Sequence, residues 1–221
     1  MKERNALIKA IVGKEWQMFD KVNNAGGRAE CQDNWSTFSI MRTSQLDAWA
    51  DDTLRSYRDD LDKAAFVGRN LLQEKYAYMM RRTAPQEYAK IEWFLPAISR
   101  EKQALVDELT EVQVAEMERA ACRYPHVAAT MRPLRRTNDS LYCTSFETYL
   151  WGELLSYSLE TLQCYRRQLM ADPAAYGLAV LTETAVQYGC KDLDELEAVL
   201  ANHADLVQLL NTVKLDPDEV M

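Results

Sequence analysis

The chain has 221 residues, 48% of them hydrophobic, and a formal net charge of −8, so it can bury a sizeable core within one large domain. Only 7 glycines and 6 prolines occur, which predicts long elements joined by short loops. No stretch has the roughly 18 consecutive apolar residues of a membrane span. The opening Met-Lys-Glu-Arg-Asn leads into an amphipathic helix and not into an apolar leader, so a cytoplasmic protein with no membrane partner is predicted.

Residues 3–23 read as a first helix. Leu7, Ile8, Ile11, Val12, Trp16, Phe19 and Val22 recur at three- and four-residue spacing, and Gly26-Gly27 supplies a stop. Residues 28–41 read as an irregular, aromatic connector packed back over the core. A long helical segment then spans 44–82, capped by Thr43 or by Ser44 with Asp47, with Gly68 as a kink or a close contact. Pro85 opens the next helix and Leu95-Pro96 bends or divides it. Another helix covers 98–122 and stops before Tyr124-Pro125. Residues 125–142 are mostly loop, with one short helix. Thr144 and Glu147 form a capping box for a central buried helix running to about Ala171. Asp172-Pro173 opens a helix to about Gly189, and short helices follow at 192–202 and 204–214.

No alternating strand pattern or hairpin turn occurs. The expected fold is therefore all-α, an orthogonal or bundle-like domain of about seven to nine helices with no sheet. From Asp172 onward ten acidic residues face two basic ones, which accounts for the whole net charge. This suggests a main domain at 1–171 with an acidic helical subdomain at 172–221 packed on it, although a single domain fits equally. An acidic surface does not suit nucleic acid. It is either a solvated face or a dock for a basic protein partner, and a homo-oligomer also fits.

The five cysteines are scattered, odd in number and without a CxxC pair, as for reduced thiols. Cys31, in a polar loop, is the best nucleophile among them, though a free cysteine is more commonly inert. Neither of the two histidines has ligand spacing to a cysteine or a glutamate, so no metal is predicted. No phosphate loop, dinucleotide fingerprint or zinc-protease helix occurs, and no cofactor is predicted.

Polar residues on core-forming helices carry what signal remains. Projected at 100° per residue, the 44–82 segment places Lys75 near the middle of its apolar face and Asp60 at the edge. In a continuous helix the two would be roughly 22 Å apart. The commoner reading is structural: Lys75 snorkels to water and Asp60 pairs with a neighbouring helix. The functional reading is a polar cavity between helices, to which Arg69, Asn70 and Glu74 would add groups. On the central helix, Glu153 lies beside Phe146, Tyr149, Leu150 and Tyr157, with Glu160 one heptad on. A carboxyl among aromatics would have a raised pKa and suit acid–base work. The bland alternative is a tyrosine hydrogen bond or an arginine salt bridge.

Lys14-Glu15-Trp16, Gly26-Gly27, Cys31-Gln32, Met41-Arg42-x-Ser44-Gln45, Gly68-Arg69-Asn70-Leu71 and Glu74-Lys75-Tyr76-Ala77 together resemble a bacterial family of unknown function. The likeness is concentrated in residues 10–90. It implies no activity, but its motif residues are mostly polar, an odd selection for packing alone. The leading expectation is a polar, aromatic-rimmed pocket for a small polar metabolite carrying a carboxylate or an amine. Arg42, Gln45, Arg69 and Asn70 would bind it, and Glu74, Lys75, Asp60 and Glu153 are the catalytic candidates. Such a pocket requires Arg42, Asp60 and Glu74 to converge on one cavity. The competing expectation is a non-enzymatic interaction or regulatory protein whose polar residues are helix–helix pairs.

Overall fold

The structure is a computed structural model and describes residues 2–23, 27–140 and 143–203. Eleven α-helices occur among these residues, with no sheet: α1 Lys2–Phe19, α2 Trp35–Asp47, α3 Asp51–Phe66, α4 Leu71–Thr83, α5 Pro85–Ile91, α6 Arg100–Arg123, α7 Pro125–Ala129, α8 Phe146–Ser156, α9 Leu159–Ala171, α10 Pro173–Gln187 and α11 Leu193–Asn202. The fold is all-α as expected, but it has more and shorter helices than seven to nine. The helix expected at 204–214 lies outside the described residues.

The surplus comes from breaks in segments that read as continuous. The 28–41 stretch is not irregular. It forms a 3-10 turn at Glu30–Asp33 and then most of α2, which Asn34 caps by accepting from the Thr37 amide at 3.0 Å. Ser44 is therefore no cap, and its hydroxyl bonds back to the Ile40 carbonyl in mid-helix. The 44–82 segment breaks twice more. At Ala48–Ala50 the chain turns between α2 and α3. At Gly68, whose φ of +75° is the left-handed conformation that ends α3, it turns into α4. The central helix likewise parts at Tyr157–Ser158 into α8 and α9. Ser145, not Thr144, caps α8, accepting from the Thr148 amide. Helix α1 ends at Phe19, four residues earlier than its apolar pattern suggests. The Asp172-Pro173 start of α10 and the span of α11 agree with the sequence.

Helices α1, α2, α3, α4, α6, α8 and α9 surround one core. Helix α4 lies on α8 with no room to spare: a Cβ on Gly152 would come within 2.8 Å of the Lys75 carbonyl oxygen. At the centre, Trp49, Tyr57, Tyr157 and Tyr165 pack with ring centroids 4.7–5.8 Å apart, a spacing that favours tilted and edge-on pairs. Helix α10 belongs to two cores. Its Tyr176 hydroxyl accepts from Trp49 Nε1 at 3.0 Å in the main core, while its Ala185 joins Tyr124, Val127 and Leu193 in a smaller one.

Candidate functional site

A buried cluster of four charged side chains lies beside the aromatic core, one from each of α1, α2, α4 and α8. Glu15 is wholly buried, and Arg42, Lys75 and Glu153 nearly so. Arg42 makes a two-pronged bond to Glu15, with Nε to Oε2 at 2.8 Å and Nη2 to Oε1 at 2.5 Å. Its Nη1 donates to Glu153 Oε1 at 2.8 Å and to Gln45 Oε1 at 2.6 Å. Lys75 Nζ donates to the other Glu153 oxygen at 2.6 Å. Tyr57 and Tyr157 donate to Glu15 and Glu153 at 2.7 and 2.5 Å. Two carboxylates and two cations make the cluster neutral, and neutrality plus hydrogen bonds on every charge is what makes such burial tolerable.

These contacts correct two expectations. Lys75 does not snorkel to water, since it is buried and ion-paired. Glu153 does not carry a raised pKa. Burial alone would raise it, but Arg42, Lys75 and the Lys75 and Tyr157 hydrogen bonds hold the carboxyl well below the ordinary carboxylate range. It is an ionised anchor and not a general acid.

The other candidates lie elsewhere, each with its own partner. Asp60 Oδ2 accepts from the Ser158 amide at 2.9 Å and the Thr161 hydroxyl at 2.6 Å, fixing the start of α9. Arg69 forms a fork on Glu74, with both bonds at 2.7 Å. Asn70 caps α4 through the Leu72 and Gln73 amides and donates to the Met18 carbonyl at 2.7 Å. Arg42, Asp60 and Glu74 therefore do not converge on one cavity. Arg42, Gln45, Lys75 and Glu153 do come together. Glu15, which sequence reading missed, completes them. The signal was present: Glu15 stands four residues after Ile11 and four before Phe19, on the apolar stripe of α1.

The cluster reaches the surface at Gln45, Tyr76 and Tyr149, all half-buried. The Lys75 ammonium lies 3.7 Å from the centroid of the Tyr149 ring, and the Arg132 guanidinium 4.5 Å from it. The Tyr76 and Tyr149 hydroxyls are 3.4 Å apart. Burial pushes the Tyr149 phenol up, but the Lys75 charge and hydrogen bonds from Tyr76 and Lys75 outweigh it, so its pKa falls below the usual 10. Tyr76 moves the other way, raised by burial and by Tyr149. Phe19, Phe38 and Trp16 continue the aromatic rim, with Phe19 6.2 Å from Tyr76 and stacked on Phe38 at 5.2 Å. Cys31 is exposed, and desolvation raises its thiol pKa, which disfavours the nucleophilic thiolate.

Among the described residues no group of three or more His, Cys, Asp or Glu side chains could hold a metal ion, and no helix is long and apolar enough to cross a membrane. No curated protein and no solved structure matches the chain. Residues 5–198 match the model of the family described as Protein of unknown function (DUF4125), and the chain belongs to that family.

Proposed function

We propose that the protein is a cytoplasmic binder of a small polar metabolite bearing a carboxylate, taken up at the mouth formed by Gln45, Tyr76 and Tyr149 over the Lys75–Glu153 pair. One observation carries this reading: Tyr149 is half-buried, with one cation within 4 Å of its ring centroid and a second within 5 Å. Arg132, which lies outside the neutral cluster, is the cation that suits an anionic ligand end, and a perturbed titratable group at the surface marks a candidate site. Arg42 does not touch the ligand in this reading. Saturated by Glu15, Gln45 and Glu153, it holds the floor rigid. Tyr149, ionising below an ordinary phenol, is the group that exchanges a proton with what binds.

A thermal-shift screen against amino acids, polyamines, nucleotides and sugar phosphates tests the proposal. A ligand at 100 times its dissociation constant stabilises by about 2.7 kcal/mol, and Tyr149→Phe or Gln45→Ala removes that shift. A spectrophotometric titration of wild type shows one tyrosine ionising below pH 10 that Tyr149→Phe lacks. No ligand in the screen, or an unchanged shift in both variants, refutes the reading.

The competing reading, a non-enzymatic interaction or regulatory protein, draws on a different observation. Phe66, Val67, Trp93 and Phe94 are 63–90% exposed, and large apolar side chains left in water mark contact surfaces when they are contiguous. A protein that binds no ligand but self-associates or captures a partner in a Trp93-dependent way fits that reading instead.

A further inference from the structure

A second polar constellation lies away from the Tyr149 mouth, where the end of α4 meets α6, α8 and the 3-10 turn Arg136–Asn138. An open groove of about 390 Å³ there is lined by Arg81, Arg82, Gln103, Asp107, Arg136 and Trp151. A second groove of about 360 Å³ shares Arg81, Gln103 and Asp107 and adds Arg100. Within a chain of net charge −8, this is a local concentration of arginine.

Arg82 is the unusual member. Its guanidinium stacks on the Trp151 indole, 4.1 Å from the ring centroid. The indole is itself fixed, since Nε1 donates to Asp107 Oδ1 at 2.9 Å. Arg82 Nη1 is buried and has no hydrogen-bond partner. Its closest carboxylate oxygen, Glu147 Oε1, lies 3.6 Å away, beyond hydrogen-bond reach. Glu147 is also drawn towards Arg136, whose amide donates to it at 3.0 Å. A buried guanidinium N–H without an acceptor is costly, so a site that keeps one is short of an acceptor. Burial lowers the Arg82 pKa in the same sense.

We infer that this groove is a binding site for a phosphate dianion, either free or as the phosphomonoester of a small molecule. Arg82 offers a guanidinium whose plane is already set by Trp151, and Arg81 and Arg136 flank it. Forks arriving from several directions suit the tetrahedral oxygens of phosphate, whereas the two coplanar oxygens of a carboxylate are satisfied by one fork. The groove lining itself carries three arginines against one carboxylate, Asp107, with Glu147 and Asp139 acting on Arg82 from outside that lining, so the lining favours an anion.

Calorimetric titration of the full chain at low ionic strength with inorganic phosphate, glucose 6-phosphate and succinate tests the site. Phosphate or the ester binds to wild type, succinate binds at least tenfold more weakly, and Arg136→Gln weakens phosphate binding at least tenfold. Arg136 is largely exposed, so this variant keeps the fold. Arg82→Lys, which retains charge but loses the fork, weakens binding as well. Equal affinity for phosphate and its ester identifies the free ion as ligand, and a preference for the ester identifies the phosphorylated metabolite. Absence of phosphate binding, unchanged affinity in Arg136→Gln, or succinate binding as well as phosphate overturns the inference. Tyr149→Phe leaves this binding intact, so failure here is separable from failure at the other mouth.

Discussion

Arg42 is the side chain on which the buried cluster depends, because it alone touches both carboxylates. Removing it leaves the buried Glu15 with the Tyr57 hydroxyl and no cation, and takes one of its two cations from Glu153, which keeps Lys75. Arg42→Met is therefore expected to cost about 3–5 kcal/mol in urea unfolding. Glu15→Gln added to Arg42→Met recovers part of that loss, because one stranded charge is gone. A single-variant loss under about 1 kcal/mol, the range of an exposed pair, would show that the cluster is solvated. Lys75 and Glu153 were legible as polar residues on otherwise apolar helix faces, whereas Arg42 and Gln45 stood out only in the Met41-Arg42-x-Ser44-Gln45 motif of the family resemblance. Their partnerships were not, since periodicity gives the face of one helix and says nothing about which helix lies opposite. For the same reason Glu153, read in isolation among aromatics, suggested a raised pKa. Two cations from α2 and α4 reverse the sign.

Between elements, the breaks were harder to read than the helices, and the reason differs from break to break. The Gly68-Arg69-Asn70 turn carries its own signals, a glycine at positive φ and a capping asparagine. The Ala48–Ala50 turn carries none, and Ala50 caps α3 without a side-chain bond. A residue of α9 holds it: Gln168 Oε1 accepts from the Ala50 amide at 2.6 Å, and its Nε2 donates to the Ala48 carbonyl. A cap supplied from more than a hundred residues away leaves no local trace, which is why α2 and α3 read as one helix. The same holds for Asp60, whose capping of α9 helps to part α8 from α9. Gln168→Ala is expected to cost about 1–3 kcal/mol through the two exposed backbone groups. Its signature is faster amide exchange across the first turn of α3, with α6 unchanged. Uniform exchange throughout the protein would mean that Gln168 contributes packing and not a cap.

At the scale of the whole molecule, ionisable groups set how stability varies with pH, and three groups act in three windows. Glu153 has a folded pKa below its ordinary 4.5, so the folded state binds fewer protons there. Its contribution is present above about pH 4.5 and is lost as pH falls towards the folded value. Lys102 behaves in the opposite direction. Burial, with Arg69 nearby, outweighs Glu74 and Asp60 and pushes its pKa from 10.5 down to about 8, while its ammonium bonds the Leu155 carbonyl at the end of α8 at 2.7 Å. Between pH 8 and 10.5 the unfolded chain holds a proton that the folded protein has released, so stability rises with pH in that window. Above pH 10 the buried phenols of Tyr57, Tyr157 and Tyr165, all pushed well above 10 by burial, reverse the slope, because the unfolded chain then loses protons the folded one retains. Urea unfolding of wild type is therefore expected to show a gain of about 1–2 kcal/mol from pH 8 to 10, after allowance for solvent screening of the partly exposed ammonium. Lys102→Met reduces that gain to the part contributed by Tyr149, whose phenol also ionises earlier in the folded state, and leaves the decline above pH 10 and the acid limb in place. Superimposable wild-type and Lys102→Met curves from pH 8 to 10 would show that Lys102 keeps its proton in the folded protein and that its ammonium is hydrated at the end of α8.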